Sequence, residues 1–465
     1  MAKKFYLHSA IPYVNAAPHI GHAQEFVYSD VIRRYQKLIG KNVAYLCGAD
    51  ENALKIVQAA EKAGKDPQSF CDINQELFRN LAGRLNVQFD FWQRGTDKKH
   101  HFLASQKLWE LCAKNGDIYK KSYEGLYCVG CEAFYTEDEL VNGECSEHPG
   151  KKLEKVSESN YFFKLSKYQK HLIDLISSDE LKIYPEFRKN EVLQFLKKPL
   201  LDISVSRSNE RAKNWGVPVP GDNTQRMYVW FDALNIYRSG VAEAAWPADL
   251  HVIGKGIIRF HAVYWPAFLL SADLPLPKGI FAHGYLTVNG QKMSKTVGNI
   301  IDPLEVVKKY GTDALRYYLL REIPSADDGD FSYRRLDEIY NADLANELGN
   351  LVSRLTNLGE KDALKIDGPG VYAVREIEKQ FDNFHFNLIL ENIWSQIKSL
   401  NKKIDDFAPW KKNKEERKEF LTGCFKSLKS IAFQLQPFLP ETAGKIIDAT
   451  SGEIKKIAPL FPRLK

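Results

Sequence analysis

Three groups of residues have the types and spacing to do chemistry. The first is His19-Ile20-Gly21-His22. It lies where a short apolar run and a proline-containing loop give way to a helical pattern. A helix start offers backbone N–H groups and a positive dipole end, which suit phosphate. The two histidines are three apart and share a face, and Gly21 removes a side chain where a planar base could approach the backbone. The second is Lys292-Met293-Ser294-Lys295-Thr296, after a hairpin signalled by Asn289-Gly290. Two lysines on one loop can neutralise charge developing on a reacting triphosphate. Taken singly, these motifs also suit a solvated helix start and a solvated loop. The third is Cys128-x2-Cys131 followed by Cys145-x2-His148, with Gly130, Gly143 and Gly150 nearby to supply turns. Two ligand pairs on two tight turns make a closed Cys₃His set for one structural Zn²⁺.

Other residues could line a small-molecule site. Ala10-Ile11-Pro12-Tyr13 ends the first predicted strand, and Asp50 ends the second. Trp230, Ala233, Leu234 and Tyr237 fall in the run YVWFDALNIY, and Ile257, His261 and Trp265 step by four along one predicted helix face. Aromatic walls with a hydroxyl or imidazole suit a flexible thioether; the same set also reads as plain core. Late in the chain, Asn350 and Arg354 are four apart beside a leucine stripe, and Trp410 follows Pro409 at a helix break. A surface Trp can stack on a splayed base while Asn and Arg bond to base edges. Equally, Arg354 reads as a helix-surface charge and Trp410 as a buried cap.

The elements that must position these residues follow from periodicity. Residues 5–9 and 43–47 read as short buried strands, with a helix over 20–39 ended by Gly40, which makes a strand–helix–strand unit. The pattern resumes with strands at 228–231, 251–253 and 280–283 and a buried helix over 257–270. Residues 117–222 hold the cysteine cluster and many charges and read as an insertion between two halves of one parallel sheet. From about residue 337 the pattern is helical, with Leu344, Leu348, Leu351, Leu355 and Leu358 forming one stripe.

In this order, with an insertion between them, the first two motifs resemble the paired HIGH and KMSK(S/T) signatures of class I aminoacyl-tRNA synthetases. Across essentially the whole chain, the segments resemble the methionyl-tRNA synthetases in their short form with a single zinc knuckle. The resemblance implies an α/β fold: a Rossmann-type, doubly wound parallel sheet split by a zinc-binding connective domain and followed by a helical anticodon-binding bundle. The implied boundaries are 1–116 and 223–282 for the catalytic halves, 117–222 for the connective domain, 283–336 for the linker with KMSKT, and 337–465 for the bundle. It also implies ligation of methionine to tRNA(Met), initiator and elongator, at the expense of ATP with Mg²⁺.

By the same resemblance, His19, Gly21, His22, Gly254, Lys292 and Lys295 bind ATP, and both histidines and both lysines serve the reaction. Ala10, Ile11, Tyr13, Trp230, Ala233, Leu234, Tyr237, Ile257, His261 and Trp265 line the methionine pocket, with Asp50 holding the substrate ammonium. Asn350, Arg354 and Trp410 read the anticodon, and the Cys₃His set is the zinc knuckle. Two segments depart from the family pattern. Asp50-Glu51-Asn52-Ala53 stands where DEHG is common, and Gly254-Lys255-Gly256 where GKD is common. Gly256 lacks the carboxylate that helps hold adenosine, while Thr296 keeps the hydroxyl of the usual Ser. A cysteine-specific synthetase is a second reading, although its zinc would sit in the amino-acid pocket. A non-catalytic RNA-binding relative is a third, supported only by the departures.

Composition sets the outer bounds. The chain has 465 residues, 44% hydrophobic and 12% aromatic, enough for several cores. Its net charge of +6 permits nucleic-acid contact without arguing for it. Residues 341–465 carry 20 basic against 17 acidic side chains, so any phosphate-binding surface must be assembled by folding. No run reaches the roughly 18 apolar residues of a membrane span, and the first residues lack secretory or transit character. Seven scattered or zinc-spaced cysteines suit a reducing cytoplasm rather than a disulfide framework. The chain stops soon after the helical pattern, and a monomer is expected.

Overall fold

The computed structural model describes residues 3–130, 133–135, 137, 140–147, 150, 152–293, 298–367 and 375–464. Two compact units emerge, each built from several stretches of chain. One comprises Met1–Pro18, Asn42–Asn80 and Gln88–His283; the other comprises His19–Lys41, Leu81–Val87 and Gly284–Lys465.

The first unit is an α/β structure around a parallel sheet. Six strands lie in the order Phe91–Arg94, Asn42–Ala49, Lys4–Ser9, Leu250–Gly254, Gly279–His283 and Lys182–Tyr184. Every pairing is parallel. Gly279–His283 is buried along its whole length, and Lys4–Ser9 and Asn42–Ala49 are buried from their third and fourth residues onward. That explains why these strands read as continuous apolar runs rather than alternating ones. Lys182–Tyr184, from within the charged stretch 117–222, adds the last strand to this sheet.

The same stretch forms an antiparallel sheet in which Ile118–Cys128 pairs with Glu154–Phe163 along almost their full lengths. This long hairpin carries the cysteine-containing segment at its tip. Tyr228 to Phe231 are not a strand: Val229–Ala233 is a short helix after the strand Asp222–Met227. All four residues are buried, and an apolar run without alternation fits a buried helix as well as a buried strand.

The second unit is mainly helical. The helix Ile20–Leu38 is joined to Thr312–Arg321 by a fully buried ion pair, Arg316 Nη1 to Asp30 Oδ2 at 2.8 Å. The same guanidinium donates to the carbonyls of Leu85, Pro437 and Phe438. A buried charge persists only with its donors satisfied, and here one arginine pins four separate stretches of chain. Leu344, Leu348, Leu351 and Leu355 are fully buried as the stripe requires, while Leu358 is only half-buried. The Asn289-Gly290 turn has both residues at positive φ, 51° and 76°, and closes an antiparallel pair with Val288 opposite Gln291. This is the turn geometry the dipeptide favours.

Gly48 marks a close approach within the sheet. A Cβ there would collide with the backbone carbonyl of Gln93 on the neighbouring strand. Gly48→Ala is expected to destabilise the protein by about 3 kcal/mol, because backbone on both sides must move. Denaturant unfolding measures it, and a loss below ~1 kcal/mol would show that the strands tolerate separation there.

Candidate active site

The central strand Lys4–Ser9 has neighbours that arrive from far apart in sequence, Asn42–Ala49 on one side and Leu250–Gly254 on the other. The carboxyl ends of these three strands therefore lie side by side, the usual ligand position in an open parallel sheet. Ala10, Asp50 and the Gly254-Lys255-Gly256 turn leave the sheet there. Pairing continues past the strand ends: Ala10 N–H donates to the Val252 carbonyl at 2.9 Å and Asp50 N–H to the Pro12 carbonyl at 2.9 Å. Tyr13 and Asp50 then form an isolated parallel bridge.

Around this edge the predicted aromatic set comes together. The Trp230 indole stacks on Phe260 at 3.8 Å and 5°, and meets Tyr13 nearly edge-on at 6.4 Å. His261 approaches Trp230 edge-on at 6.4 Å. Its Nδ1 donates to the Ile257 carbonyl at 2.9 Å, which leaves Nε2 as the acceptor for the Tyr237 hydroxyl at 2.8 Å. Burial pushes the His261 imidazole down to about 4, opposed in part by the Ile257 bond, so the ring is neutral at physiological pH. Ala233, Leu234 and Trp265 are buried and Ile257 is half-buried.

Ile257, His261 and Trp265 do not lie on one regular helix. Lys255–Ile257 is a 3₁₀ turn, Phe260–Tyr264 is π-helical and Trp265–Ser271 is α-helical. The Trp265 N–H reaches back five residues to the Phe260 carbonyl. Pro266 follows directly and has no N–H to give to Ala262, which favours widening the preceding turn.

The departure at Asn52 is accommodated in place. Its amide donates to the Gly95 carbonyl at 2.8 Å and to Asp232 Oδ2 at 2.6 Å, tying the Asp50 loop to the helix that carries Trp230 and Ala233. Glu51, fully buried, is held by Arg94 at 2.8 Å and by Thr96. Gly256 lies in the partly accessible turn after the strand end.

In the second unit, His19 caps the helix Ile20–Leu38. Its Nδ1 accepts from the Gly21 N–H and His22 Nδ1 accepts from the His19 N–H, both at 3.1 Å. Each neutral ring therefore carries its proton on Nε2, and desolvation followed by neighbouring His19 holds His22 well below its ordinary range. The Ile20 N–H donates to the Ile301 carbonyl at 3.1 Å, and a Cβ on Gly21 would sit 3.8 Å from Met293 Cε. The two signature segments thus meet inside one unit. Lys292 is exposed, while Lys295 and Thr296 lie outside the described residues, as do Cys131 and His148. Arg354 lies with its guanidinium 5.9 Å from the Trp410 ring centroid and bonded to Asp405 at 2.6 Å. Asn350 is exposed and Trp410 is 56% exposed, so Trp410 is no buried cap.

Three comparisons bear on this arrangement. The family model for class I tRNA synthetases (M) matches residues 5–155 and 146–356. The methionine–tRNA ligase of Brucella suis is 41% identical over 474 residues, covering 96% of this chain and 91% of that protein. The chain belongs to the methionyl-tRNA synthetases. The Mycobacterium tuberculosis methionyl-tRNA synthetase in complex with methionyl-adenylate is 38% identical, with a TM-score of 0.92 over 99% of this chain and 100% of that one. The free form of the Mycobacterium tuberculosis synthetase gives 0.84 at 34% identity, over 100% of this chain and 99% of that one.

Some neighbours of the site in this synthetase were not singled out in the sequence. Phe260 falls outside the helical step of 257, 261 and 265. Lys55 places its ammonium 3.2 Å from the Tyr13 ring centroid and donates to the Gly130 carbonyl at 3.1 Å; nothing in a surface-type lysine signals that. His8 and His251, both fully buried, were visible only as polar residues inside apolar strands.

These histidines make stability pH-dependent. Burial holds His8, His251 and His261 below the ordinary histidine range in the folded state. As pH falls, the unfolded chain takes up protons near 6.5 and the folded one does not. The stabilisation is therefore present above about pH 6.5 and is lost progressively as pH falls below it, at up to ~1.4 kcal/mol per pH unit for each group. Denaturant unfolding at pH 5 is expected to give at least about 2 kcal/mol less stability than at pH 7; equal values would show that these rings are charged in the fold.

Proposed function

We propose that this synthetase activates L-methionine with ATP and loads it onto tRNA(Met), with the division of labour that follows. The observation that carries the amino-acid specificity is the chain from the Tyr237 hydroxyl through neutral His261 to the Ile257 carbonyl, set against Trp230. An aromatic wall with an uncharged, orientated polar group suits a thioether and offers nothing to a charged side chain. Ala10, Ile11, Tyr13, Ala233, Leu234 and Trp265 complete the pocket, and Asp50 pairs with the substrate ammonium.

In the first step, a methionine carboxylate oxygen attacks the α-phosphorus and pyrophosphate leaves. In the second, a terminal ribose hydroxyl of the tRNA attacks the activated carbonyl and AMP leaves. No protein nucleophile is required, so the chain contributes positioning and charge stabilisation. His19 and His22 offer Nε2–H donors to phosphate oxygens, Gly21 and Gly254 admit the nucleotide closely, and Lys292 and Lys295 offset charge on the departing pyrophosphate. Mg²⁺ accompanies the triphosphate.

The knuckle residues fit a structural zinc. Cys128 and Cys145 are buried, and a tight turn just before Cys145 pairs Val141 with Glu144 through Asn142 and Gly143 at positive φ. Cys131 and His148 supply the other two donors, and bound zinc would cross-link the tip of the long hairpin. Such thiolate ligation suits a reducing compartment, the cytoplasm, and no described helix is long and apolar enough to cross a membrane. The working domains are catalytic halves 1–116 and 223–282, connective 117–222, linker 283–336 and anticodon-binding 337–465. Elemental analysis of protein prepared without chelator is expected to find one zinc per chain, lost in Cys145→Ser; metal-free wild type would refute the knuckle.

Asn350, Arg354 and Trp410 read the CAU anticodon, with the Trp410 face as a stacking platform. Trp410→Ala should lower kcat/KM for tRNA charging by about tenfold or more, as loss of a stacked base costs roughly 1–3 kcal/mol. ATP–pyrophosphate exchange with methionine needs no tRNA and should be unchanged. Equal damage to both activities would make Trp410 a folding residue, and damage to neither would place anticodon reading elsewhere.

A further inference from the structure

The strand Lys4–Ser9 places a polar residue, His8, where its side chain is fully buried. In the parallel register His8 lies directly opposite His251 on the next strand, so both side chains leave the same face of the sheet. The His8 ring stacks on Tyr237, centroids 3.6 Å apart and 11° from parallel. His251 stands edge-on to His8 at 4.0 Å and to Tyr237 at 5.3 Å. Tyr237 is thus held from two sides by imidazoles, while its hydroxyl donates to His261 Nε2.

Hydrogen bonding does not account for these two histidines. His8 makes one bond, Nδ1 to the Ser9 carbonyl at 3.2 Å. His8 Nε2 and both nitrogens of His251 have no hydrogen-bond partner. Stability alone would favour apolar side chains at such positions, since a buried polar atom without a partner is costly. What the His8 imidazole provides that an aliphatic residue cannot is a flat face of matching size against a phenol ring. Burial and the nearby His261 keep it neutral, so the stack forms without a charge in the core.

We propose that His8 is a positioning residue for methionine recognition: its ring sets the plane of Tyr237 and so the point from which the Tyr237 hydroxyl meets His261. This rests on Tyr237 and His261 lining the methionine pocket. The hydroxyl lies at the far end of a side chain with two rotatable bonds, and binding constellations must hold to roughly 0.5 Å. Misplacement by about 1 Å can cost up to a hundredfold.

Two substitutions separate the flat face from mere filling. His8→Leu keeps bulk and removes the planar face; His8→Phe keeps the planar face and removes the nitrogens. In ATP–pyrophosphate exchange, His8→Leu is expected to raise KM for methionine about tenfold, leaving kcat and KM for ATP within about twofold. Preference for methionine over norleucine, its sulfur-free analogue, should fall in parallel. His8→Phe is expected to restore KM to within about threefold of wild type. An unchanged KM for methionine in folded His8→Leu overturns the inference, as does a parallel rise in both KM values or a His8→Phe no better than His8→Leu. If His8→Leu does not fold, His8→Phe decides alone: near-normal KM supports the inference and a tenfold rise overturns it. Tyr237→Ala distinguishes the two levels. If it leaves KM for methionine unchanged, the pocket assignment fails; if it raises KM while His8→Leu does not, only the role of His8 fails.

Discussion

Most of what this synthetase can do in its first unit depends on parallel pairing around one strand. Lys4–Ser9 accepts Asn42–Ala49 on one edge and Leu250–Gly254 on the other. Parallel strands cannot be joined by a tight turn, so the chain must travel between them, and it uses that length to build other parts. The constraint aligns three strand ends. Loops that leave those ends, bearing Ala10, Asp50 and Gly254, then share one edge although they are widely separated in sequence. The same register sets His8 against His251 near the end of the strand.

A second theme is neutrality enforced by burial. The pocket side of the sheet concentrates imidazoles where charging any of them is unfavourable, and the hydrogen bonds present assign their tautomers. His261 must donate from Nδ1 because Ile257 offers only a carbonyl, and it must then accept from Tyr237. In the other unit the capping of Ile20–Leu38 fixes ring orientation through the backbone: N–H groups donate to Nδ1 of His19 and of His22. Under the proposed function, the first set suits a thioether and the second suits phosphate oxygens.

The helical unit is pinned by a buried ion pair. Arg316 and Asp30 are both fully buried, and the guanidinium is satisfied by three carbonyls as well as by the carboxylate. At the surface, Asp405 holds Arg354 beside the exposed Trp410. The partly solvated pair costs little to rearrange, whereas the Arg316 network would leave unpaired buried groups if any member were lost. The same residue types therefore behave differently at different depths.

The sequence by itself determined the elements whose signals are local. These are the helix from Ile20, started by the histidine pair and ended before Gly40; the Asn289-Gly290 hairpin; the leucine stripe; and the buried strands at 5–9, 43–47 and 280–283. Each is specified by residues within one or two turns of one another, and the motif pair with its spacing was sufficient to indicate the class I synthetases. Tertiary structure decided what depends on partners distant in sequence. Val229 to Phe231 became part of a helix because a wholly apolar run is equally buried either way. Lys182–Tyr184 became an edge strand because Gly279–His283 offered it one. The donor role of Asn52 toward Asp232 and the stacking of His8 on Tyr237 both arise between segments far apart in sequence. No local pattern encodes such contacts, since each exists only when the sheet has brought its strand ends together.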